Sequence, residues 1–205
     1  MVYRKTTKRR TGRSKRSMSS RYKSRKSRRI RSKKSQYFFS RYTDALGYVN
    51  CDGTNPALYA FNFSLSDLPN YTEFTSLYDM YKLNAVKVTF IPYQTVSNSV
   101  ATINNADNTA RFFSAIDYND GTAPITTDNL REYQTAKFTR LLKTHKRFIY
   151  KPKILDTNGF AISPWMSTST PTANYYGLKV GVEPTGSAMH YSIECKYYVS
   201  FKNVK

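Results

Sequence analysis

The 205-residue chain is 40% hydrophobic and carries 33 Lys and Arg against 13 Asp and Glu, a formal net charge of +20. That length supports one domain with a substantial core and is too short for two, and the charge excess excludes a cationic partner and points to a polyanion. Two cysteines 144 positions apart, with no secretory apolar segment ahead of them, exclude a disulfide scaffold and predict reduced thiols; no apolar run approaches the ~20 residues of a membrane-spanning helix, so no membrane insertion is expected.

The charge is concentrated at the start of the chain. Arg4, Lys5, Lys8, Arg9, Arg10, Arg13, Lys15, Arg16, Arg21, Lys23, Arg25, Lys26, Arg28, Arg29, Arg31, Lys33 and Lys34 supply 17 cations within 34 residues that hold no acid. The other 171 residues carry 16 basic and 13 acidic side chains, a charge of only +3. A segment of this kind repels itself and has little to bury, so residues 1–36 read as a disordered or extended arm. Nucleic acid is the favoured partner, because each neutralised phosphate releases condensed counterions without any base-reading geometry. A mitochondrial transit peptide would interleave apolar residues, and after Met1 only Val2, Met18 and Ile30 are aliphatic here. A lipidated membrane anchor fits poorly, with Val2 where myristoylation needs Gly. The clusters are compatible with a nuclear-import signal, and Tyr3 and Tyr22 have rings able to stack on unpaired bases.

From residue 37 the chain reads as strands, a shell domain over 37–205. A first, weakly alternating strand is expected near 37–48. Ala57, Tyr59, Phe61, Phe63 and Leu65 alternate with polar Asn62 and Ser64 in a second. Phe74, Leu77, Tyr78 and Tyr81 recur at helical spacing, which predicts a short helix over 71–81 capped by Asn70 or Thr72. It leads into a strand over 82–93, with Val86, Val88 and Phe90 inward and Lys87 and Thr89 outward. A long polar connection over 94–110 follows, then weaker strands near 110–118, 135–142 and 146–151, with a helical turn capped by Asp128 between the first two. A second long connection over 152–174 precedes the strand 176–182, where Tyr176, Leu178, Val180 and Val182 oppose Lys179 and Glu183. In the last strand Tyr191, Ile193, Cys195, Tyr197, Val199 and Phe201 face one way and Ser192, Glu194, Lys196, Ser200 and Lys202 the other. Eight strands with long loops and almost no helix predict an all-β chain, a single eight-stranded antiparallel jelly roll made of two packed sheets.

Motifs that would carry catalysis are few. His145, in a basic strand, is expected to face solvent or phosphate, and the two Cys and two His have no zinc-site spacing. Asp117-Tyr-Asn-Asp-Gly121 has its Gly one position early for a calcium loop and reads as an Asn-Asp-Gly turn. No Walker A, G-x-G-x-x-G or G-x-S-x-G sequence is present, so no enzyme activity, no cofactor and no metal are expected. Arg147 and Lys151 would share one strand face and extend the arm's phosphate contacts from an inner surface. A ribosomal or other non-viral nucleic-acid packaging protein is the alternative, although such proteins usually present a basic folded face, and this body is near neutral.

Three blocks resemble the coat proteins of circovirus-like viruses with circular single-stranded DNA genomes. They are Tyr81-Lys-Leu-Asn-Ala-Val-Lys-Val-Thr-Phe-Ile-Pro92, His145-Lys-Arg-Phe-Ile-Tyr-Lys-Pro-Lys-Ile-Leu-Asp156 and the terminal strand with its Tyr197-x-x-x-Phe201 ending. They stand in the family's order behind a basic arm, although this arm has more Lys and Ser than the Arg-dominated arms of animal circoviruses. The resemblance implies a capsid protein with a jelly roll, a closed icosahedral (T=1) shell of sixty copies of itself, and arms turned inward to the packaged single-stranded DNA. It also implies passage into host cells through a receptor the sequence does not identify, and delivery to the nucleus by the host import machinery.

Overall fold

The computed structural model describes residues 36–93, 110–156, 158–186 and 188–205; the basic arm and nearly all of the 94–110 connection lie outside them. Residues Lys34–Lys205 form one compact unit. Its strands are β1 (Gln36–Thr43), β2 (Tyr48–Cys51), β3 (Ala57–Phe63), β4 (Tyr78–Tyr93), β5 (Arg111–Ala115), β6 (Lys137–Arg140), β7 (His145–Tyr150), β8 (Met166–Ser167), β9 (Tyr175–Val182) and β10 (Met189–Val204), with short helices α1 (Tyr71–Leu77) and α2 (Thr127–Arg131).

The first sheet has the order β1-β10-β4-β7, with β2 added beside β10 and β8 beside β4, and the second has the order β3-β9-β5-β6. Every pairing is antiparallel. Setting aside the short β2 and β8, eight strands remain, and successive ones cross between the sheets except β5 and β6, which pair as a hairpin within the second; the last strand inserts beside the first and third. This is the two-sheet jelly roll expected from the alternation.

The core lies between the sheets. Tyr191, Ile193, Cys195, Tyr197, Val199 and Phe201 of β10 are all buried, as their period of two requires, and they meet Val86, Val88 and Phe90 of β4 and Phe63, Leu178, Val180 and Val182 from the opposite sheet. Each such side chain contributes roughly 1.5–3 kcal/mol of transfer free energy. Polar bonds fix the layers in register: Tyr197 donates to Asp67 Oδ2 at 2.7 Å and Tyr191 to the Leu141 carbonyl at 2.6 Å. Cys51 and Cys195 are free and buried; burial pushes their thiols up to about 11 and about 12, so neither is a nucleophile at neutral pH.

Several local expectations are corrected. The first strand is broken by a turn at residues 44–47, where Gly47 adopts φ +71°, and resumes as β2. The helix ends at Leu77, and Tyr78 and Tyr81 begin β4. Pairing of Tyr78 with Val204, and of Tyr81 with both Phe201 and Met166, buries both rings, whereas a continued helix would leave this end of β10 paired on its β1 edge alone. Asn70 precedes α1 in the left-handed region (φ +57°) without a side-chain cap. Thr126, not Asp128, caps α2, accepting from the Asn129 amide at 3.3 Å.

Candidate nucleic-acid interface

The seventeen arm cations lie outside the described residues, so the geometry available is that of the body. His145 does not face solvent. Its place in β7 turns it into the core, fully buried, where Nε2 lies 2.6 Å from Ser114 Oγ and Nδ1 3.0 Å from Thr139 Oγ1, with Phe112 packed against the ring. Two hydroxyls serve either tautomer of a neutral imidazole, each giving or accepting as needed. Burial, reinforced by the Lys137 and Arg147 charges, pushes its pKa down to about 3.

The unfolded chain therefore takes up a proton near pH 6.5 that the folded chain refuses, and this contribution to stability is lost as pH falls from 6.5 toward 3. Between pH 7 and pH 5 the expected loss is about 2 kcal/mol. Urea titrations at the two pH values check it: His145→Gln should be weaker at both and lack this increment. A variant retaining the full pH-dependent loss contradicts the assignment.

Arg147 and Lys151 do not share a strand face. Arg147 lies, like His145 and Ile149, on the side of β7 turned to the opposite sheet; it is half-buried, and its Nη2 donates to the Thr135 carbonyl at 2.8 Å. Its Nε has no hydrogen-bond partner among the described residues. Lys151 follows the strand's end with φ +50°, so the alternation no longer governs its direction, and its exposed ammonium lies 4.9 Å from the Tyr150 ring.

A second cation lies on the outer face that alternation gives it, but that face is covered. Lys179 of β9 is buried, 2.9 Å from Asp117 Oδ2 and 2.7 Å from Asp120 Oδ1, and Tyr133 donates to the same Asp117 oxygen at 2.8 Å. The Asn-Asp-Gly turn thus holds a lysine. Burial raises the Asp117 carboxyl, but the Asn119 amide, the Lys179 ammonium and the Tyr133 hydroxyl outweigh it and hold the group below the usual carboxylate range. The sequence signal was Gly181, two residues on along the same face: a Cβ there would meet Leu130 Cδ1 of α2 at 2.7 Å, which shows that this outer face of the second sheet is covered.

A group of exposed and half-buried lysines lies instead on β4, β7 and β10 of the first sheet. Lys87, Lys146 and Lys196 line an open cleft of about 340 Å³ with Tyr42, Thr89 and Glu194. Lys82 and Lys202, farther along the same strands, lie over the Trp165 ring at 4.9 and 4.4 Å. Among the described residues no group of three or more His, Cys, Asp or Glu could hold a metal ion, and no helix is long and apolar enough to cross a membrane.

Comparison with known proteins agrees with the blocks on β4, β7 and β10. Solved structures similar in fold include the decameric BFDV capsid protein (16% identity, TM-score 0.54, covering 82% of this chain and 99% of that one) and the 60-mer of the BFDV capsid protein (15%, 0.56, 82% and 93%). Tobacco necrosis virus shares the fold at 10% identity (TM-score 0.53, 83% and 97%). No curated protein sequence matches significantly. The profile of the family described as Circovirus capsid protein matches residues 4–205, taking in the arm and every strand of the jelly roll, and on that match the chain belongs to the circovirus capsid protein family and is a structural component of a virion.

Proposed function

We propose that copies of this chain close into an icosahedral shell of sixty subunits and that the basic arms bind and package a circular single-stranded DNA genome. The observation that carries this reading is the division of charge, 17 cations without an acid in residues 1–34 against +3 on a body that folds as a capsid jelly roll. An enzyme would be expected to concentrate polar, titratable groups in a pocket; here the buried His145 and Lys179 are each fully engaged by neighbours in the fold. Ile125, Phe138, Leu142 and Phe160 are exposed on the single chain, the kind of apolar surface that contacts between copies would cover. The relative solved as a 60-mer supports the subunit number.

Sixty arms would bring about 1,000 positive charges to one lumen, matching on the order of a kilobase of single strand at one phosphate per nucleotide. The same clusters suit recognition by the host import machinery before assembly, which would place the protein in the host nucleus during infection. Lys151, exposed at the end of β7, is the body residue of the expected pair better placed to meet a phosphate; Arg147 is half-buried and donates to the Thr135 carbonyl. Electron microscopy of the purified full-length chain tests assembly: uniform closed shells are expected, and monomers at every protein and salt concentration would contradict it.

A further inference from the structure

The outward face of the first sheet carries an arrangement that the fold alone does not explain. The registers align Tyr42 of β1 with Lys196 of β10, Lys196 with Lys87 of β4, and Lys87 with Phe148 of β7. One row across four strands thus reads Tyr, Lys, Lys, Phe. Like charges directly opposite on neighbouring strands destabilise a sheet, and Lys146 adds a third ammonium to the same cleft. Glu194 shares the cleft, yet among the described residues no carboxylate lies within 4.0 Å of any of the three lysines. The aromatic ends of the row are open: Tyr42 is 64% and Phe148 53% exposed. Lys196 Nζ lies over the Tyr42 ring at 4.8 Å and the Tyr198 ring at 5.6 Å, and Tyr198 meets Phe148 edge to face at 6.1 Å.

We infer that this sheet face is a second, folded binding site for single-stranded nucleic acid, with Lys87, Lys146 and Lys196 on phosphates and Tyr42 and Phe148 stacking on unpaired bases. A phosphodiester between the opposed lysines would relieve their repulsion. Open rings beside cations suit strands whose bases are free, since every base presents a π-face. At about 4.8 Å per strand the row spans roughly 14 Å, room for a few nucleotides. In sequence the row's first residue, Tyr42, is eight positions beyond Lys34, the last cation of the arm. The inference rests on the proposed packaging role and gives it a folded site with a salt-independent component from base stacking.

The test uses the full-length chain at about 0.5 M salt, where the arm's counterion-driven binding is weakened, with oligo(dT) and base-free dextran sulfate as probes. Tyr42→Ala with Phe148→Ala should weaken oligo(dT) binding roughly five-fold or more and leave dextran sulfate unchanged. Lys87→Gln with Lys196→Gln should reduce the slope of log affinity against log salt by about 1.4 for oligo(dT). The lysine pair is an independent arm should the aromatic pair perturb folding, as a melting curve would show. Oligo(dT) binding unchanged in both pairs overturns the inference while leaving the arm's role intact, as does loss of shell assembly with unchanged oligonucleotide binding, which would make the face a contact between copies. Failure of the unaltered chain to bind oligo(dT) even at low salt would instead remove the packaging reading itself.

Discussion

A chain lacking residues 1–34 is expected to lose most of its affinity for single-stranded DNA and most of that affinity's salt dependence, keeping at most the slope of about −2 that three body lysines would give, while its body stays folded. If the intact arm engages six or more phosphates, the slope of log affinity against log salt is about −4 or steeper, and binding falls by two to three orders of magnitude between 50 and 200 mM salt. Removing 17 of the chain's 33 cations removes that term. The described core is supplied entirely by residues from Phe39 onward, and Gln36 already pairs with Lys202, so a cut after Lys34 leaves β1 complete. Fluorescence anisotropy on both proteins across a salt series, with thermal unfolding alongside, reads both halves of the result. A truncated chain that keeps steep salt dependence would move the electrostatic site into the body.

Lys179→Ala is expected to be among the most damaging single changes in the body. The Lys179 and Asp117 side chains are each only 6% exposed, so removing the ammonium leaves a buried carboxylate held by the Asn119 amide and Tyr133 alone. Breaking such a pair costs on the order of 3–5 kcal/mol. Asp120, half exposed, adds less because water screens it. The pair also sets an acid limit: the folded Asp117 carboxyl titrates below its unfolded value near 3.9, so its contribution is present above that pH and is lost as pH falls through the lower folded value. Denaturant titration of Lys179→Ala and of Lys179→Met with Asp117→Asn distinguishes the causes. The double change, which leaves no buried unpaired charge, only the half-exposed Asp120, should be much milder than Lys179→Ala; equal losses would show that packing under α2, not charge, is what Lys179 supplies.

Strands were legible in the sequence wherever one face meets the core and the other meets water. β10 alternates over a dozen residues because Tyr191 to Phe201 pack inward while Glu194 and Lys196 stay outside. Alternation misleads where both faces are covered. Lys179 follows a polar-out pattern, yet its side of β9 lies beneath α2 and the turn at Asp117, and His145 sits in a run of cations whose period of two points it inward. Helical spacing at Phe74, Leu77, Tyr78 and Tyr81 was genuine, but long-range pairing of β4 with β10 decided the last two residues, and Leu77 was left exposed. The arm was legible because charge needs no fold. The row Tyr42, Lys196, Lys87, Phe148 was not, because four residues from distant segments become neighbours only through three strand registers.

In the packaging role proposed above, the arm is what brings the genome into the shell. The most direct measurement of this is the nuclease-protected nucleic acid per particle in shells assembled from the intact chain and from a chain lacking residues 1–34. Single-stranded DNA on the order of a kilobase or more is expected in the first, and shells that are empty, or no shells but folded subunits, in the second. Truncated shells protecting the same amount of single-stranded DNA as intact ones would contradict it.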